Sequence, residues 1–168
     1  MYHVNDRIHY GGSGVCTVQD ITTMRFGRTR EQYYVLKPLH QNASVIYVPV
    51  NNEALTAKMR PVITQEEVTR LIEQMPAIET VWTDDIQERK ATFDTLLRNN
   101  NCTDLIKIIK TLFQQKKRRQ AIGKALHVSD ENYLREAQRL LYDEIAGVMG
   151  INPNEVNAYI MARVDLTA

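Results

Sequence analysis

In 168 residues the chain has two cysteines, one tryptophan and five prolines, and its net charge is only +1. Each shortage excludes something. Cys16 and Cys102 stand far apart and form no motif, so they read as small buried apolar residues and not as a disulfide framework. His3, His9, His40 and His127 lack metal-ligand spacing, and no metal or cofactor is expected. No apolar run approaches the ~20 residues of a membrane span. The opening MYHVNDRIHY lacks the basic-then-apolar form of a secretory leader. A cytoplasmic location with no membrane partner is expected. Near-neutrality argues against a general polyanion coat. Catalytic constellations are missing too. Gly11-Gly12-Ser13-Gly14-Val15 has Val15 where a nucleophile elbow needs its last glycine. It also lacks the Lys-Ser/Thr of a phosphate loop. Asp84 and Asp85 are adjacent, so on a helix they diverge by ~100° and suit a helix N-terminus better than acid–base work. The chain reads as non-enzymatic, with no small-molecule ligand evident.

What is present is an ordinary folding composition, 43% hydrophobic and 24% charged, divided into two styles. The first 55 or so residues read as strands. They are Asp6 to Tyr10, Val15 to Ile21, Glu31 to Leu36 and Ser44 to Val50, the later ones rich in β-branched and aromatic residues. Turns are expected at Gly11–Gly14, at Phe26-Gly27-Arg28 and at Gln41-Asn42. Four or five short strands at this spacing suggest a small barrel.

After Pro61 the period becomes helical. Thr64-Gln65-Glu66-Glu67 fits a capping box ahead of Val68, Leu71, Ile72 and Met75, and Pro76 ends that helix. Thr83 is expected to cap a helix reaching about Arg98. Thr103 is expected to cap the next, with Leu105, Ile108, Ile109 and Leu112 inside. Lys107, Lys110, Gln114, Lys117 and Arg118 fall on a different face. A connector around Gly123 leads to a helix capped by Ser129 and stopped by Gly150. Asn152-Pro153-Asn154-Glu155 restarts the last one. The fold class is therefore α+β in two domains: a β-barrel-like domain over 1–58 and an all-α domain of about five helices over 59–168.

Charge is concentrated where the total hides it. Residues 86–127 hold ten Lys and Arg against three acids, while 61–85 have one base against six acids and 128–168 three against seven. A local polyanion contact fits this pattern, as does a solvated helix surface. Trp82 lies between the helix ended by Pro76 and the helix that follows. Such an indole is either core or a wedge able to stack on a base or enter a minor groove. Arg89 and Lys90, two turns on, and Lys116-Lys117-Arg118-Arg119 are candidate phosphate contacts, as is Lys124. None reads a base by spacing, so contact with DNA would tolerate any sequence.

The order of these parts resembles the CarD/CdnL family of bacterial transcription regulators. The likeness rests on VNDRIHYGGSGVCTVQDI, the strand pair QYYVLKP and VIYVPV, Trp82 opening a helix, and GKALHVSDENYLREAQRLLYDEIAGVMGI. The resemblance implies a Tudor-like (SH3-like) N-terminal domain, similar to the polymerase-interacting module of transcription-repair coupling factor. That domain would dock on the lobe of the RNA polymerase β subunit by adding an edge strand, here Val45-Ile46-Tyr47-Val48-Pro49. It further implies that Trp82 wedges into promoter DNA at the upstream edge of the bubble and stabilises the open complex. The protein would then be nucleoid-associated through polymerase. Two positions depart from the family. Tyr47 and Met24 stand where members often carry basic side chains, which turns attention to Arg25 and Arg28 as polymerase contacts. Thr83-Asp84-Asp85 replaces a basic start after the tryptophan. The alternative is a protein–protein adaptor that docks on polymerase by strand addition without touching DNA. A third reading, a protein that binds DNA freely, requires tight, salt-sensitive duplex binding without polymerase, and such binding is expected to be weak.

Overall fold

A computed structural model of the chain describes residues 1–39 and 44–167. The expected turn at Gln41-Asn42 lies outside them. The chain divides into two compact units, 1–62 and 63–168.

The first unit is an antiparallel sheet of β1 (Arg7–Tyr10), β2 (Gly14–Phe26), β3 (Thr29–Pro38), β4 (Ile46–Pro49) and β5 (Met59–Pro61), in the order β4-β3-β2-β1-β5. A short helix, α1 (Glu53–Thr56), precedes β5 and is capped by the Asn52 side chain. The glycine turn between β1 and β2 is real. Gly11 and Gly14 take φ of +42° and +72°, a region that costs L side chains steric strain. Gly27 turns the β2–β3 hairpin with φ +62°. An irregularity between Val18 and Asp20 bends β2, as bulges do. One face carries the core: Ile8, Cys16, Val18, Tyr34, Leu36, Val48 and Met59. Burial pushes the Cys16 thiol up to about 11, so this cysteine is packing and not chemistry.

Two expectations change here. The domain boundary moves from 58 to 62, because Met59–Pro61 pairs with Ile8–Tyr10 as a fifth strand. Among the described residues the sheet is also open. β4 and β5 end it on opposite sides and do not pair with each other, and closure of a barrel requires that ladder.

The second unit contains α2 (Gln65–Gln74), α3 (Ile86–Arg98), α4 (Cys102–Ala121), α5 (Val128–Met149) and α6 (Pro153–Met161). The capping boxes at Thr64–Glu67 and Asn152–Glu155 form, and Gly150 ends α5 in the left-handed conformation. Three other caps shift. Asp85 caps α3 in place of Thr83, and Asn101 caps α4 in place of Thr103. Asn and Asp accept from the free N–H groups better than Thr. At α5 the N-cap is His127, without a side-chain bond, and Ser129 lies inside the first turn.

Helix α4 is the axis of this unit. Cys102, Asp104, Leu105, Ile106, Ile108, Ile109, Lys110, Thr111 and Leu112 are all buried. A helix covered on every side must bury polar groups too, and each needs a partner. Lys110, expected on a face other than the apolar stripe, is 6% exposed. Its ammonium donates to the carbonyls of Met75 (3.2 Å), Pro76 (2.6 Å) and Ile78 (2.7 Å). A cation at the C-terminal end of α2 also complements the helix dipole. The basic stretch 116–119 belongs to the far half of α4, beyond the core.

Candidate docking edge and tryptophan clamp

Among the described residues β4 pairs with β3 alone, Leu36 opposite Ile46, Val35 opposite Tyr47, Tyr34 opposite Val48 and Tyr33 opposite Pro49. Its other side is a sheet edge. Val48 is fully buried, while Tyr47 is 48% exposed. Val45, Ile46 and Pro49 are half-buried. The chain leaves the edge at Pro49: the Val50 N–H donates to the Gln32 carbonyl at 2.9 Å and the Asn52 N–H to the Pro49 carbonyl at 3.1 Å. β5, the opposite edge, has three residues and closes on Pro61, which has no N–H. Of the two edges, β4 is the better template for an added strand.

Register assigns faces, because residues directly opposite share one and neighbours alternate. Tyr47 shares its face with Val35, Tyr33, Thr22, Met24 and Phe26. Phe26 is 57% exposed and meets Tyr33 edge-on, with ring centroids 5.9 Å apart. Met24 and Tyr47, the two departures from the resembled family, thus lie on one face, which also carries Glu31, directly opposite Met24, and Asp20, directly opposite Val35. Arg25 stands directly opposite Arg30, on the other face. Its Nε donates to the Gly27 carbonyl at 3.1 Å. Arg25 therefore does not substitute for a cation on the Tyr47 face. Arg28 sits exposed in the hairpin turn.

The second site is built around Trp82. The linker before it is fastened to α4 by Lys110 and by Thr111, whose Oγ1 accepts from the Val81 N–H at 3.0 Å. Trp82 is half-buried against the helical core. Its Nε1–H donates to Asp84 Oδ1 at 3.0 Å. The guanidinium of Arg89 lies over the ring, Cζ 4.1 Å from the centroid. Arg89 Nε and Nη2 donate to the two carboxylate oxygens of Asp130, each at 2.9 Å, and Nη1 donates to the Thr83 carbonyl at 2.8 Å. Arg89 and Asp130 are 2% and 1% exposed. A buried guanidinium requires such a two-pronged partner.

This corrects the expected phosphate contact at Arg89, whose charge is neutralised inside the unit. The remaining cations differ among themselves. Lys90 is half-buried on α3. Lys116 pairs with Glu131 at 3.4 Å. Lys117 donates to Thr167 Oγ1 at 3.3 Å, and Arg119 Nε donates to the Ala125 carbonyl. Arg118 and Lys124 are exposed. In the sequence flanking Trp82, Glu79, Asp84, Asp85 and Glu88 are all exposed. Asp85 serves the N-terminus of α3, accepting from the Glu88 N–H at 3.0 Å. Beyond Lys90, the Tyr133 hydroxyl donates to Asp94 at 2.6 Å. Burial, together with that bond, pushes the Tyr133 phenol up to about 12.

Sequence reasoning missed Lys110, Thr111 and Asp130 as the residues that pose Trp82. The available signal was polar residues inside otherwise apolar helical turns. Among the described residues, no group of three or more His, Cys, Asp or Glu is placed to hold a metal ion, and no helix is long and apolar enough to cross a membrane.

No curated protein matches the chain. Residues 2–63 match the family model of the CarD-like/TRCF RID domain. That span covers every strand of the sheet, including the edge strand β4 and the terminal β5. The match falls on the N-terminal unit, just over a third of the chain, and suggests a transcription-related interaction with RNA polymerase.

Proposed function

We propose that this chain is a non-enzymatic, cytoplasmic transcription regulator that docks on the lobe of the RNA polymerase β subunit and holds promoter DNA at the upstream edge of the bubble. The observation that carries the reading is the one-sided pairing of β4 within an RID-family domain. A strand with an open side offers backbone N–H and C=O groups to a partner strand. Tyr47 beside it supplies apolar contact. In the helical unit, Trp82 is the aromatic group held for contact, and Lys90, Arg118 and Lys124 are the cations best placed to meet phosphates. A factor that binds open promoter better than closed promoter shifts the equilibrium by that difference in affinity. About 1.4 kcal/mol gives a tenfold shift. Tethering to polymerase makes weak DNA contacts effective.

A second reading, an adaptor without DNA contact, draws on the exposed acids flanking Trp82 in sequence and the neutralised Arg89. Two substitutions separate them. Tyr47→Glu should weaken co-purification with RNA polymerase about tenfold, the equivalent of about 1.4 kcal/mol. Trp82→Ala should leave co-purification intact and shorten the open-complex lifetime about tenfold. An unchanged lifetime would select the adaptor.

A further inference from the structure

We infer that Arg89 and Asp84 make Trp82 a one-faced, sequence-blind wedge: Arg89 fixes the ring plane from one side, and Asp84 withholds the indole N–H from the bases. The inference rests on the reading of Trp82 as a DNA contact and deepens it. Arg89 is held by three hydrogen bonds of its own, two to Asp130 and one to the Thr83 carbonyl. It cannot swing away without leaving Asp130 buried and unpaired, so the ring lies on a rigid cationic platform. The Thr83 bond clamps the backbone immediately after the tryptophan. Arg89 is thus a positioning residue, acting on DNA only through the indole.

Asp84 decides what the indole can recognise. Trp has a single polar atom, the donor Nε1–H. Here that donor is spent on the Asp84 carboxylate at 3.0 Å. What remains is ring surface, and every base step presents a surface to stack on. A freed N–H would behave differently in a minor groove. Adenine N3 and thymine O2 accept there, whereas a G·C pair adds an N2 donor that opposes another donor. Removing Asp84 should therefore create a preference for A·T over G·C at the wedge.

Trp82 is the only tryptophan, so its fluorescence reports on this ring alone. The full-length protein is used, with Arg89→Met plus Asp130→Leu as the main variant. That pair replaces two buried charges by apolar side chains and is expected to fold, as circular dichroism will check. Acrylamide quenching of Trp82 should rise at least twofold without polymerase or DNA present. The open-complex lifetime should fall toward that of Trp82→Ala. Arg89→Lys, which keeps charge but loses the fork, should lie between. Asp84→Ala should turn a lifetime that varies less than twofold among base pairs at the upstream bubble edge into one at least fivefold longer on A·T than on G·C. Quenching and lifetime unchanged in the Arg89/Asp130 double variant would overturn the positioning role. A base-pair preference already present in the unsubstituted protein, or none in Asp84→Ala, would overturn the role of Asp84. If Trp82→Ala itself leaves the lifetime unaltered, the DNA reading fails and Asp84 has no base to withhold; the positioning of the ring by Arg89 is then decided by quenching alone.

Discussion

The two units offer a partner different materials. In residues 1–62 the feature is backbone, the open side of β4, marked by one outward side chain, Tyr47. In the helical unit the feature we propose is one side chain, Trp82, and others hold it: Lys110 and Thr111 through the linker, Asp84 at the indole nitrogen, Arg89 over the ring and Asp130 bonded to Arg89. A strand is aligned by its own ladder and needs little further support. An indole on a linker has rotatable bonds on every side and needs props. The contrast teaches that cations in the helical unit cannot be read by counting, because two of the ten in residues 86–127, Arg89 and Lys110, are buried and bonded inside the unit.

The contrast can be sharpened by breaking each side in turn. The largest effect is expected from Arg89→Met alone. It leaves Asp130 buried without its partner and should cost about 3–5 kcal/mol in urea unfolding; a loss below about 1 kcal/mol would show that the pair carries little. Lys110→Met removes three carbonyl partners and should cost about 2 kcal/mol, accompanied by a shift in Trp82 emission as the linker loosens. In the sheet, neighbouring residues should behave oppositely. Val48→Ala opens the core and should lower stability by about 1.5 kcal/mol. Tyr47→Ser should stay within about 0.5 kcal/mol of the parent while polymerase capture falls. If both destabilise alike, Tyr47 belongs to the core and not to the edge. The smallest effect concerns Arg30, directly opposite Arg25. Like charges across a ladder are unfavourable, so Arg30→Glu should raise the melting midpoint, by a gain of about 0.5 kcal/mol.

Much of this was legible in residue order. The strands of β1 to β4, the glycine turns at Gly11–Gly14 and Gly27, the capping boxes at Thr64 and Asn152, and the stop at Gly150 are local events, decided by neighbours in the chain. The resemblance to the CarD group was legible in the N-terminal segment, where residues 2–63 match the RID family. The fifth strand was not. Met59–Pro61 is three residues long and has no pattern of its own, and only pairing with β1 makes it a strand. Nor were the caps at Asp85 and Asn101, since Thr83 and Thr103 stood close enough to compete. Trp82 was visible as a singular residue, but its surroundings come from α3, α4 and the start of α5, up to 48 positions away at Asp130.

By itself the sequence determined the α+β division, the order of β1 to β4 and of α2 to α6, and the presence of one tryptophan at the head of a helix. Caps, turns and periodicity act over a few residues and need no distant partner. Only the tertiary structure decided that β4 is an edge, that Tyr47 and Met24 share a face opposite Arg25, and that Arg89 is buried against Asp130 and stacked on Trp82. Each depends on which other element arrives alongside. Pairing and burial, and the loss of a free charge that goes with them, are properties of the assembled fold.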